Sequence, residues 1–183
     1  MHYPFSLRAV GLFLGLSLIL AHVFAALRGE PVKGFLARFP RWHLAGLVLL
    51  TIDLIWVWYI AATMDWGEFF TWRLPVLLAL PVAYAMTIYL VHEYLAARAL
   101  GMFLLLAAMP VLDAAFMKAP VSRLLVVVLA YVWVVFGLCW TSSPHLLRDH
   151  LQFVLRSPLR WSIAVWAGVA YGIVILSCAL AWW

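Results

Sequence analysis

Asp53 has the least expected position of any ionisable side chain, because it lies in the middle of the apolar run TIDLIWVWYI. A carboxylate at the centre of a bilayer-spanning helix costs about 2.5–3.5 kcal/mol on insertion scales, so such a group is expected to be protonated or paired. Counting depth along the other apolar runs places four hydroxyl groups close to the same layer of the membrane, those of Ser17, Tyr84, Tyr131 and Tyr171. We expect a neutral Asp53 that is hydrogen-bonded to one or more of these hydroxyls. A proton-carrying or cation-binding carboxyl is the functional alternative, and a counter-charge from a partner helix is the third.

The histidines are the second set of side chains that could do chemistry. Neutral imidazole binds haem iron and other transition metals, and two histidines on neighbouring helices can hold a b-type haem. His22 with His92 or His43 is the best pair that the sequence offers for haem or for contact with a quinone. The chain has no HExxH metal motif, because His92-Glu93 lacks the downstream histidine. Structural histidines at an interface are the ordinary alternative, and no cofactor is favoured.

The composition indicates whether these groups lie in a water-soluble protein or in a membrane protein. The chain has 183 residues, of which 68% are hydrophobic and 10% are charged. Soluble domains are about half apolar and about a quarter charged, and a domain of this size still leaves much of its area in contact with water. We therefore exclude a soluble enzyme, a nucleic-acid-binding module and a disordered protein, and we expect an integral membrane protein.

The apolar runs predict an all-helical bundle of six transmembrane helices in a single domain. The spans are expected at residues 5–27, 43–63, 74–92, 95–116, 121–140 and 161–182. A β-barrel is a poor alternative, because its strands alternate in polarity whereas these runs are apolar on all sides. One continuous helix over residues 75–110, which would reduce the count to five spans, stays open because no glycine or proline marks a turn after His92.

The basic residues predict an orientation. With six spans, one side of the membrane holds eight of the twelve Lys and Arg residues: Arg28, Lys33, Arg38, Arg41, Arg98, Arg148, Arg156 and Arg160. The positive-inside rule places that side in the cytoplasm and both termini on the opposite side. Arginine-rich usage, short loops and the absence of Asn favour a bacterial inner membrane with periplasmic termini.

Two loops on the predicted cytoplasmic side have helical periodicity. Residues 31–39 and 144–156 place apolar side chains on one helical face and basic side chains elsewhere. Both segments are therefore expected to be short amphipathic helices in the membrane interface. Anchoring to anionic lipid is the ordinary interpretation, and a docking surface for a partner subunit is the alternative.

Small residues predict where helices approach closely. Gly11 and Gly15 in the first span and Gly168 and Gly172 in the sixth have GxxxG spacing, and Gly15 and Gly172 fall at similar depths. The first and sixth spans are expected to pack against each other there. Use of the same faces for oligomerisation or for another subunit is the alternative.

Almost every polar residue can be given a structural role, and the loops leave little room for a soluble active site. We therefore expect an accessory or structural membrane subunit that packs against other membrane proteins or a second copy, and we do not expect an enzyme. The first alternative is a redox subunit with b-type haem or quinone near the cytoplasmic side. The second is a small proton- or ion-coupled transporter that uses Asp53, with Tyr84 and Tyr131 as neighbours.

Overall fold

A computed structural model describes residues 5–91 and 93–183. Within these ranges the chain is helical and contains no β-strand, which confirms the all-helical prediction. The elements are α1 (Leu7–Leu27), α2 (Gly29–Arg38), α3 (His43–Thr63), α4 (Arg73–Leu90), α5 (Leu95–Ala115), α6 (Leu124–Ser142), α7 (His145–Leu155) and α8 (Pro158–Ala181). Short 3₁₀ turns at Phe39–Arg41, Gly67–Trp72 and Val121–Arg123 lead into α3, α4 and α6.

Six of these helices, α1, α3, α4, α5, α6 and α8, are long and apolar enough to cross a membrane. The alternative of a continuous helix over residues 75–110 is wrong, because α4 ends at Leu90 and α5 begins at Leu95. Tyr94 lies in the turn between them and has a left-handed backbone conformation, with φ of 56°. A non-glycine residue in that conformation cannot continue a right-handed helix, so the turn needs neither glycine nor proline.

The helix α5 lies at the centre of the bundle and packs against α3, α6 and α1. Its buried surface consists mainly of small residues, including Ala96, Ala99 and Ala108. Gly101 of α5 faces Gly137 of α6 so closely that a methyl group added to either would lie 2.8 Å from the carbonyl oxygen of the other. These small residues let the helix backbones approach closely, and such packing is the main attraction between helices in lipid.

A second pair of helices, α1 and α8, packs side by side. At one end of the bundle this pair contacts α5 and α6. Ile175 of α8 is fully buried in a cluster with residues of α1, α5 and α6. Two hydrogen bonds connect α8 and Trp183 to the start of α6 and to the 3₁₀ turn before it. The Tyr171 hydroxyl donates to the Leu125 carbonyl at 2.7 Å, and the Trp183 indole donates to the Ser122 hydroxyl at 2.7 Å.

The short helices α2 and α7 lie at the other end of the bundle, which we call the basic end. They pack against each other, and α7 also contacts α6 and α8. Their positions match the two amphipathic segments of the sequence to within two residues at each boundary. Leu147 is the one described residue of the two helices that is buried, so their contacts with the bundle are shallow.

The helix α4 is attached to the rest of the chain mainly through α3. None of its residues is buried, whereas each of the other five long helices buries at least three in the described part of the chain. Pro81 has no N–H to donate to the Leu77 carbonyl one turn earlier. The Trp58 indole of α3 donates to that carbonyl at 3.3 Å instead, so this contact compensates for the proline.

Candidate functional site

Asp53 is the one buried carboxyl group among the described residues, with 3% of its surface exposed. It lies on the same buried face of α3 as Gly46 and Leu50, and this face packs against α5. Gly46 lies against the backbone of Leu95 and Ala96 in α5. Neither carboxyl oxygen has a hydrogen-bond partner among the described residues. An unsatisfied buried polar group costs about 1–3 kcal/mol, so its presence calls for an explanation other than packing.

The expectation that a hydroxyl satisfies Asp53 is wrong, because the hydroxyls at that depth are engaged elsewhere or directed away. Ser17 donates to the Phe13 carbonyl at 2.6 Å, and Tyr171 donates to Leu125. The Tyr84 hydroxyl is hydrogen-bonded at 2.8 Å to the Thr51 hydroxyl, and Tyr131 is 58% exposed on the outside of the bundle. Depth along the chain could be counted from the sequence, but the direction of each side chain around its helix could not.

The predicted histidine pairs are not assembled in the part of the chain that the structure describes. The His22 ring packs over Gly168 of α8, and its Nδ1 is 2.8 Å from the Leu18 carbonyl. A carbonyl can only accept, so Nδ1 carries the proton in this contact. His43 is exposed at the start of α3, and no described interaction joins it to His22. His92 lies outside the described residues.

No group of three metal-binding side chains is present among the described residues. His22 instead lines a largely apolar hollow of about 710 Å³ between α1, α2, α7 and α8. Its other lining side chains include Phe24, Phe35 and Trp161, which can accept an acyl chain or another apolar molecule. Among the described residues, His22 and His43 do not form a bis-histidine haem site, and the pairing of His22 with His92 stays a prediction.

The four GxxxG glycines lie on the faces of α1 and α8 that meet. A Cβ atom added to Gly15 would lie 3.1 Å from the Gly172 carbonyl, and one added to Gly172 would lie 3.0 Å from the Gly15 carbonyl. Gly11 is covered by the Trp183 ring, and Gly168 is covered by His22. These faces are therefore occupied within the chain and are not open to another subunit.

The sequence analysis missed a cluster at the basic end, which we call the Tyr94 cluster: Tyr94, Arg41, Arg148 and Asp149. The Tyr94 hydroxyl oxygen accepts hydrogen bonds from Arg41 at 3.4 Å and from Arg148 at 3.2 Å. The hydrogen bond from Arg41 and then the charge of Arg148 lower the pKa of Tyr94 below its usual value. Residues more than fifty positions apart meet here, and no local motif could have revealed them.

Other close approaches also had no signal in the sequence. Gly46, Gly101 and Gly137 are isolated glycines without GxxxG spacing, yet each lies where two helices nearly touch. The guanidinium of Arg98, near the start of α5, donates to the Thr141 carbonyl of α6 at 3.3 Å. It therefore ties the start of α5 to the end of α6.

Comparison of the chain with protein-family models, with curated proteins and with solved structures finds no match. Inferences about function therefore depend on the geometry of this chain alone.

Proposed function

We propose that the chain is an integral membrane protein of a bacterial inner membrane and acts as an accessory subunit without catalytic activity of its own. In this proposal its basic end faces the cytoplasm and both termini face the periplasm. Six long apolar helices and eight basic residues gathered at one end support the insertion and the orientation. Fusions of alkaline phosphatase after residue 183 and after Arg156 test the orientation: the first should be active and the second inactive.

The observation that carries the subunit role is the exposure of α4. Helices in lipid gain little from burying apolar surface, so packing and hydrogen bonding must hold them together. Within the chain α4 has no buried residue, and among the described residues its side-chain hydrogen bonds to α3 involve Tyr84, Trp58 and Arg73. Its outward side, with Leu78, Val82 and Met86, is therefore available to a helix of another membrane protein.

Photo-crosslinking in native membranes tests this role. A benzophenone side chain placed at Leu78, which is 63% exposed, should give a discrete protein adduct. The matched control is Ile163 of α8, which is 59% exposed and should react with lipid only. The mass of the adduct distinguishes a second copy from a different protein. Lipid adducts alone at Leu78, Val82 and Met86 would contradict the proposal.

A second function, proton or cation coupling through Asp53, is favoured by the burial of a carboxyl without a partner. An ionised carboxylate in that position would need a cation beside it, whereas a protonated one would be neutral. The matching test is proton uptake into proteoliposomes with an enclosed pH-sensitive dye. Asp53→Asn should abolish uptake, while Glu68→Gln, at an exposed acid in the 3₁₀ turn before α4, should leave it unchanged. Equal rates in wild type and Asp53→Asn would exclude this function.

A further inference from the structure

The Tyr94 cluster brings together two guanidinium groups, and among the described residues only that of Arg148 is paired with a carboxylate. Arg41 comes from the 3₁₀ turn before α3, and Arg148 comes from α7. Both guanidinium groups donate to one neutral oxygen, that of Tyr94. Like charges held this close repel each other, so the arrangement gains stability when an anion lies between or beside them.

The only carboxylate in the cluster lies to one side of it. Asp149 pairs with Arg148 at 2.8 Å, through the nitrogens that Arg148 does not direct at Tyr94. Arg41 pairs with no described carboxylate, and its guanidinium also lies 5.8 Å from the centre of the Tyr94 ring. Arg41 therefore retains donors for an external anion.

The surface next to Arg41 suits the rest of an amphipathic ligand. A hollow of about 860 Å³ is lined by Arg38, Arg41 and the rings of Phe35 and Trp42. The two rings are in edge-to-face contact at 5.8 Å, and both are about half exposed. Tryptophan and arginine together are typical of the level at which lipid headgroups meet acyl chains.

We propose that the Tyr94 cluster binds the phosphate of an anionic phospholipid in the leaflet at the basic end. Arg41 and Arg148 donate to the phosphate oxygens, as guanidinium groups do in planar, two-pronged contacts. Tyr94 is a positioning residue, because its hydroxyl oxygen accepts hydrogen bonds from both arginines. The glycerol and the first carbons of the acyl chains lie over Phe35 and Trp42. The site rests on membrane insertion of the chain and is independent of any protein partner at α4.

Native mass spectrometry of the full chain in mild detergent tests the site. The probes are phosphatidylglycerol and phosphatidylcholine with identical acyl chains. Wild type should prefer phosphatidylglycerol, and Arg41→Gln/Arg148→Gln should weaken its binding by about tenfold or more, because a charge-assisted hydrogen bond contributes roughly that factor. Arg156→Gln/Arg160→Gln removes the same charge from the same end and should keep the preference.

Three results would overturn the proposal: no preference for phosphatidylglycerol in wild type, an equal loss in the two double variants, or displacement of the lipid by equimolar free glycerol phosphate. The second would indicate diffuse surface charge, and the third a soluble phosphate ligand. Recovery of wild type as a water-soluble protein would instead refute the membrane insertion in the proposed function, so the two failures are distinguishable.

Asp149→Asn is expected to increase binding, a result that a misfolded variant would not give. It releases Arg148 from its carboxylate, so phosphatidylglycerol should bind severalfold more tightly. Tyr94→Phe should weaken binding, and it keeps the ring beside Arg41 while removing the shared hydroxyl. Unchanged or weaker binding in Asp149→Asn would overturn the proposed role of Arg148.

Discussion

The helices α5 and α4 follow each other in the chain and are both apolar, but their surroundings are opposite. α5 has small residues on several sides, and α3, α6 and α1 pack against it. α4 has no glycine and no buried residue, and it meets mainly α3. Apolar character thus indicates only that a helix can enter a membrane. Whether it packs within its own chain depends on where the small residues lie.

The largest effect should follow from filling the contact between α5 and α6. Gly101→Leu places side-chain atoms where a Cβ alone would lie 2.5 Å from the Thr141 hydroxyl and 2.8 Å from the Gly137 carbonyl. We expect the free energy of unfolding to fall by about 3 kcal/mol, because the backbones must separate. The measurement is unfolding by SDS in mixed micelles, and Gly101→Ala should give a smaller loss of the same sign.

The matched substitution on α4 is Ala83→Leu, which adds the larger side chain to an exposed position. It should change the free energy of unfolding by no more than about 0.5 kcal/mol. Similar losses in Gly101→Leu and Ala83→Leu would show that α4 is packed as firmly as α5, and the contrast between the two helices would be wrong.

The next effect concerns Asp53, the polar exception in the α3–α5 contact. Leucine has the same branching as aspartate, so Asp53→Leu replaces two unsatisfied oxygens by methyl groups of similar shape. We expect it to raise the free energy of unfolding by about 1–3 kcal/mol. Asp53→Asn should stay close to wild type. Destabilisation by Asp53→Leu would mean that the carboxyl has a partner in the folded protein, which would remove the reason for giving it a coupling role.

The fold was largely predictable from the sequence, because length and hydropathy determine which segments can form spanning helices. The turn after α4 was the ambiguous boundary, since Tyr94 adopts its left-handed conformation without a glycine. The candidate sites were less predictable. The depth of Asp53 could be counted, but its lack of a partner depends on the rotation of helices around their axes. The Tyr94 cluster depends on tertiary contacts between distant segments.

A smaller change in the free energy of unfolding should distinguish a tyrosine that is hydrogen-bonded inside the bundle from one on its surface. Tyr171→Phe removes the bond to the Leu125 carbonyl and leaves that contact without its donor. The expected loss is about 1 kcal/mol in the same unfolding assay. Tyr131→Phe is the control, because Tyr131 is on the outside of α6, and it should have no measurable effect. Equal losses would indicate that Tyr131 is covered in the folded protein.

The smallest expected effect is a shift in the pH at which Tyr94 ionises. Because the hydrogen bond from Arg41 and the charge of Arg148 lower its pKa, this tyrosine should ionise at a lower pH than an ordinary one, whose pKa is about 10. The absorbance at 295 nm of wild type minus that of Tyr94→Phe isolates the group. Arg41→Gln should move its titration to higher pH, and an unchanged curve would mean that Arg41 does not hold the hydroxyl.

The central claim is that α4 is covered by another membrane protein, and its access to lipid tests this most directly. A fluorescent side chain placed at Leu78 or at Ile163 is exposed to brominated lipid that is introduced into native membranes and, separately, into vesicles of the purified chain. We predict that quenching at Leu78 is weak in native membranes and strong in vesicles, while Ile163 is quenched equally in both. Strong quenching at Leu78 in native membranes would contradict the account.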